Sequence, residues 1–250
     1  MLRSWKTEGG AHTLVDVWQI LYRDARIVSL FGNVVSSNML AGVSAQSLPC
    51  VAEDVMGSLM LLAQESNEPI KIVINNVGGE VNAGFAIIQA IEHVKSKGIE
   101  VWTINICSSA SMATVILTTG TKGKRFVQNN TMTHLHSGSK VMSGKAEDVE
   151  AVYEFFRRHF TKTIYKILLE NTKLPEFWNK KSDSKYNPKQ ISDPAIRSKL
   201  LKDFLGGERY LEASEAVEAG VADKVLMPGD PIIDDIYRVI KRAEKGKKSV

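Results

Sequence analysis

The sequence predicts an α/β protein, a sheet of buried strands alternating with helices that cover it. Three observations predict it. Runs rich in aliphatic and β-branched residues, Ile70-Lys71-Ile72-Val73-Ile74 and Val101-Trp102-Thr103-Ile104-Asn105-Ile106, are each followed by a longer segment of helical character. Both strand-to-helix junctions are made of small or turn-forming residues, Asn75-Asn76-Val77-Gly78-Gly79 and Cys107-Ser108-Ser109-Ala110-Ser111. Finally, between 145 and 171 the positions Val149, Val152, Phe156, Phe160, Ile164 and Leu168 recur at steps of three or four, the stripe of a long amphipathic helix.

In chain order the same criteria give strands near 27–32, 70–75, 101–106, 124–127 and 131–136. Helices are expected near 47–66, 82–97 and 112–119, the last stopped by Gly120, and then the long helix. From Thr172 to Ser198, Pro175, Pro188, Pro194 and several lysines interrupt any helical period, so this stretch reads as a surface loop. A sharper expectation for it is that Phe177, Trp178 and Tyr186, interleaved with Lys180, Lys181 and Lys185, form a wall or contact surface.

With 250 residues, 44% hydrophobic and 24% charged, the chain can bury a full core. It has no apolar run long enough to span a bilayer, and Met1-Leu2-Arg3-Ser4-Trp5-Lys6 lacks the apolar stretch of a secretory signal, so a cytoplasmic setting is expected, without a membrane partner. Cys50 and Cys107 are too few for a disulfide framework, and Cys107 reads as a small packing residue. The net charge of +4 is mild. Its basic cluster, Lys241 to Lys248, reads as a solvated tail rather than a nucleic-acid surface. Histidines and cysteines lack ligand spacing, so no metal site is expected, and no G-x-x-x-x-G-K-[ST] phosphate loop is present.

Ser111 lies where a strand gives way to a helix, a place where unpaired backbone N–H groups can hold an oxyanion. The same run of small residues would equally serve close backbone packing. Thr131-Met132-Thr133-His134-Leu135-His136 alternates as a strand, with His134 and His136 on one face, one of them a candidate ligand or base and the other a structural side chain, the residues alone not choosing between them. Gly78-Gly79 permits positive φ and close approach, so its amides could form half of an oxyanion hole and the Met112 amide the other half.

Taken in order, these pieces resemble the proteolytic subunit of the Clp protease family. The resemblance rests on Gly78-Gly79-Glu80-Val81-Asn82-Ala83-Gly84, on Ala110-Ser111-Met112, on Gly120-Thr121-Lys122-Gly123-Lys124-Arg125-Phe126 and on Ala146-Glu147-Asp148-Val149-Glu150. It covers residues 20–171 and 200–228, and implies a ClpP/crotonase-like fold of repeated ββα units in a superhelix, with residues 145–171 as a handle helix. Residues 1–19 would be an N-terminal segment, 20–228 the peptidase domain with an insertion at 172–198, and 229–250 a basic C-terminal extension.

The resemblance also implies roles. Ser111 would be the nucleophile and His136, 25 residues on, its base; Gly79 and Met112 would supply the oxyanion hole. Glu208, in Gly207-Glu208-Arg209-Tyr210-Leu211, stands where the family carries aspartate and would orient His136; the alternative is a solvated loop residue paired with Arg209. Val77 stands where the family carries Pro and Ser137-Gly138 where it carries Gln-Pro, so the site is expected to complete itself only on oligomerisation or on binding a partner. Implied partners are copies of the chain in stacked seven-membered rings, unfolded polypeptides, and an AAA+ unfoldase ring that uses the ATP, this chain needing no cofactor. A structural subunit of a mixed ring and a crotonase-like acyl-CoA enzyme are the alternatives; the latter does not need Ser111.

Overall fold

The computed structural model describes residues 2–6, 12–37, 49–138, 144–183 and 185–238. Its elements run β1 (Leu2–Lys6), β2 (His12–Asp16), α1 (Val17–Ala25), β3 (Ile27–Val35), β4 (Pro49–Val51), α2 (Ala52–Glu65), β5 (Ile70–Gly79), α3 (Val81–Ser96), β6 (Val101–Ala110), α4 (Met112–Thr118), β7 (Arg125–Gln128) and β8 (Met132–Leu135). There follow α5 (Ala146–Phe156), a π-helical turn (Arg157–Thr161), α6 (Lys162–Asn171), α7 (Leu174–Lys181), α8 (Pro188–Ile191), α9 (Pro194–Leu205), β9 (Arg209–Leu211), α10 (Ala213–Glu218), β10 (Lys224–Leu226) and α11 (Pro231–Tyr237).

The mixed α/β architecture is the expected one. A main path of strands runs β10-β7-β6-β5-β3-β4, with parallel pairing throughout. Parallel strands must be covered on both faces, which is why β5 opens with five consecutive buried residues, Ile70 to Ile74, apolar but for Lys71. Alternation sends Ile70, Ile72 and Ile74 into the core shared with α2 and α3, and Val73 into a second cluster with Trp102, Ile104, Phe126 and Ile236 of α11. The basic tail expected at 241–248 lies outside the described residues. Among the described residues no helix is long and apolar enough to cross a membrane.

The strand that builds the site is β6. Its first half pairs with β7 through Thr103, Ile104 and Asn105, its second half with β8 through Ser108, Ser109 and Ala110. Between the halves the register against β5 slips: Ile74 faces Asn105, but Asn76 faces Ser109. Two extra residues in β6 bow the strand outward and hand it to the next layer. Buried Asn105 spans the bow, donating from Nδ2 to Met132 O at 3.0 Å and accepting the Cys107 N–H on Oδ1 at 3.2 Å. The bow corrects the reading of Cys107 as a packing residue, because it pushes that side chain out to solvent.

Residues 172–198 also differ from expectation, forming helices rather than a loop. Pro188 and Pro194 open α8 and α9, and Pro175 lies in the first turn of α7. Proline is tolerated there because the N–H it lacks would have no helical acceptor. Asn187 caps α8 in a reciprocal box with Gln190, and Asp193 caps α9 through the Ala195 N–H. Phe177 is 4% exposed, and both it and Trp178 pack on Phe204, so neither is free to form an external contact surface. Lys180 and Lys181 pair with Glu218 and Glu215 of α10.

From Ala146 to Asn171 the chain stays helical, with the π-turn inserted midway. Only the second half seats on the core: Leu168 is buried, whereas α5 buries none of its residues, and Val152 and Phe155 are 46% and 50% exposed.

Candidate active site

Ser111 caps α4 with φ 53° and ψ −123°, a left-handed backbone that a residue with a Cβ seldom adopts. Its neighbours impose the turn. The Ser111 N–H bonds His134 O at 2.9 Å, continuing the β6–β8 ladder, while Ser111 O accepts from Thr114 and Val115 and starts the helix. Strand pairing on one side and helix on the other leave the serine at a sharp corner with its side chain projecting. Strain of this kind costs on the order of 1–3 kcal/mol.

His134 lies in β8 and His136 one residue past its end, and the structure separates their duties. His136 Nε2 lies 2.9 Å from Ser111 Oγ. His134 instead stacks on Tyr210, with ring centroids 4.5 Å apart. The antiparallel β8–β9 register explains this, since His134 faces Tyr210 and Leu135 faces Arg209. One step further along that register sets Glu208 across from His136, although 72 residues separate them in the chain.

Glu208 reaches both rings. Oε1 is 3.4 Å from His136 Nδ1, and Oε2 is 2.5 Å from His134 Nε2, the diagonal neighbour on the same face. The carboxyl is held below the ordinary glutamate range, chiefly by the His134 hydrogen bond, against slight desolvation and with help from the His136 charge. Its pairing with Arg209 is not found: Arg209 donates to Phe204 O at 2.7 Å and lies over the Trp178 ring.

Gly78 and Gly79 form the opposite wall. A Cβ on Gly78 would fall 2.7 Å from the Ser111 Cβ, and one on Gly79 would fall 2.1 Å from Val34 O. Both have positive φ, 91° and 149°. The Gly78 N–H is engaged by Asn76 Oδ1 at 2.7 Å, and the Glu80 N–H by Val34 O at 2.9 Å. Val34 is the residue paired with Gly79, and in a parallel ladder the residue flanked by its partner's bonds turns its own N–H away from that partner strand, so the Gly79 amide points away from β3. The Met112 N–H, at the first position of α4, has no helical acceptor.

A cleft of about 250 Å³ opens beside Ser111 and His136. Val115, Leu135, Phe156, Phe160, Ile164 and Leu168 make it apolar. Four of these belong to the stripe of the long helix, which the sequence marked as amphipathic but not as lining a site. The π-turn aims Phe160 inward against Phe85 and Phe156, at 5.5 and 4.5 Å. A shallower groove of about 490 Å³ over Lys162, Lys166 and Glu170 contains neither Ser111 nor a histidine.

The Clp protease family model matches residues 12–186, more than half of the chain. The matched span contains Ser111, His136, Gly79 and Met112, and runs through the whole of α7 and beyond it to residue 186, well into the stretch expected as an insertion; it ends before Glu208.

Proposed function

The chain belongs to the Clp protease family of peptidases, and from that premise we propose that it is a serine endopeptidase acting through Ser111. The single observation that carries this reading is the 2.9 Å contact between His136 Nε2 and Ser111 Oγ at a strained strand-to-helix corner. With its proton on Nδ1, facing Glu208, the His136 ring offers the Nε2 lone pair to the serine. As Oγ bonds to the peptide carbonyl carbon, the serine proton passes to Nε2. Glu208 stabilises the imidazolium so formed. The amides of Gly79 and Met112 receive the carbonyl oxygen as it becomes an oxyanion, each such donor being worth roughly 3 kcal/mol. His136 then protonates the leaving amine, the C–N bond breaks, and water delivered through the same base hydrolyses the ester.

The apolar cleft supports a preference for a large apolar side chain on the residue that supplies the attacked carbonyl. The half-exposed Val152 and Phe155 support assembly through α5 with further copies of the chain. In this reading a separate unfoldase delivers unfolded chains and uses the ATP. A crotonase-like acyl-CoA role has less support, because it leaves the His136–Ser111 contact without a purpose.

Fluorogenic peptides differing only in the residue before the scissile bond test the proposal. Leu, Met or Phe there should be cleaved at least about tenfold faster than Glu or Lys. Equal rates, or cleavage that survives Ser111→Ala, would sink it.

A further inference from the structure

We infer that His134, His136 and Glu208 form a binding site for a borderline divalent metal ion, Zn²⁺ best of all, whose occupation would switch Ser111 off. One ligand atom from each residue lies within 4.8 Å of those of the other two. The set is two imidazoles and a carboxylate, donors that suit zinc and leave a fourth position for water. Histidine and cysteine spacing does not reveal it, because the third ligand arrives from another strand.

The site is built before any ion arrives. His134 stands on β8, which is held between β6 and β9 by backbone pairing, and His136 follows directly on the strand's last residue, with the two ring centroids 5.0 Å apart. Glu208 already touches both rings, at Oε2 for His134 and Oε1 for His136. Nitrogen ligands at about 2.0–2.1 Å from a tetrahedral ion lie closer together than the outer limit of this cluster, so the rings must draw in slightly. Glu208 is the member best able to follow, being 60% exposed and just ahead of β9.

His134 has no part in the proton relay proposed for Ser111, yet it makes the shorter contact with Glu208. A metal site accounts for both facts. Because His136 Nε2 is engaged with Ser111, the ion must take Nδ1. A neutral imidazole metallated at Nδ1 carries its proton on Nε2, which then donates to Ser111 Oγ and cannot accept from it. The ion also takes the carboxylate that would otherwise stabilise the imidazolium. Binding and proton abstraction therefore exclude one another.

The inhibitory half rests on the peptidase reading, and the binding half does not. Full-length protein stripped with EDTA is titrated with ZnCl₂ by calorimetry, as wild type, His134→Asn and the surface variant Glu208→Gln. In parallel, labelling of Ser111 by a fluorophosphonate is followed against zinc, each variant normalised to its own zinc-free rate. Wild type should bind one ion per chain, and each variant should bind at least about tenfold more weakly. Wild-type labelling should fall over the same zinc range and return with EDTA. Equal affinity in wild type and both variants would overturn the site, and undiminished labelling at saturation would overturn the switch. A chain that is never labelled, even without zinc, would refute the peptidase reading, with calorimetry still deciding the metal site.

Discussion

Glu208 lies across the β8–β9 ladder from His136 but makes its shorter contact with His134, 2.5 Å against 3.4 Å. A carboxylate shared in this way orients the base less firmly than one devoted to it. Glu208→Gln should therefore lower kcat/KM by about 10- to 100-fold, well short of the ~10⁴ lost when a buried triad acid devoted to its histidine is neutralised. Parallel kinetics of Glu208→Gln and His136→Ala check this, with His136→Ala the more damaged. Equal losses would mean that the reaction depends on Glu208 no less than on the base itself.

Ser111 adopts a backbone that glycine tolerates better than serine. Ser111→Gly should abolish turnover and stabilise the fold by about 1 kcal/mol, the relieved strain exceeding the added chain entropy. Ser111→Ala keeps the Cβ and should abolish turnover without that gain. Thermal melts of the two variants side by side decide whether the corner is strained.

Gly79→Ala places a methyl group against Val34 O and demands a positive φ of a residue with a Cβ. The β3–β5 contact must open, at a cost of about 2 kcal/mol or more, and the Gly79 amide must turn. Activity should fall by about 10²-fold or more even where the variant remains folded. Peptide hydrolysis measured well below the melting temperature separates the two effects.

Arg125 and Asp223 tie β7 to the start of β10, with the carboxylate also accepting the Gly123 and Arg125 N–H groups. Burial pushes the Asp223 carboxyl up, but the Arg125 hydrogen bond and charge and the two backbone donors outweigh it, so the net shift is downward. A carboxylate depressed in the folded state adds stability above its unfolded value of about 3.9, and loses it as pH falls through its lower folded value. Asp223→Asn should destabilise by about 3–5 kcal/mol at neutral pH, by stranding a buried guanidinium. The gap from wild type should narrow below about pH 4. Denaturant titrations at pH 7 and pH 3.5 measure both ends.

Much of this architecture was legible because buried parallel strands are chemically conspicuous. Ile70–Ile74 and Val101–Ile106 announce themselves, and Ser111 and Gly78-Gly79 follow as the small-residue junctions beyond them. Both strands nevertheless run four residues or more past their apolar portions, through Gly79 and Ala110, because backbone pairing continues after the side chains turn polar. Three-residue strands such as Arg209–Leu211 are too short to show a period. That is why the residues alone left His134 and His136 equivalent, and why the Glu208–His134 contact was invisible: only the β8–β9 register distinguishes them. Around 172–198 the prolines misled, because a proline that opens a helix and one that breaks it look alike until the capping side chains Asn187 and Asp193 are considered with them.

At the centre of the proposed chemistry, Ser111 is a nucleophile made reactive by His136. The most direct measurement of that is the reaction of the assembled protein with a fluorophosphonate, followed by mass spectrometry of the peptide containing residue 111. One adduct per chain is expected on Ser111, lost in His136→Ala and retained at a reduced rate in Glu208→Gln. An adduct on another residue, or unchanged labelling of Ser111 in His136→Ala, would contradict it.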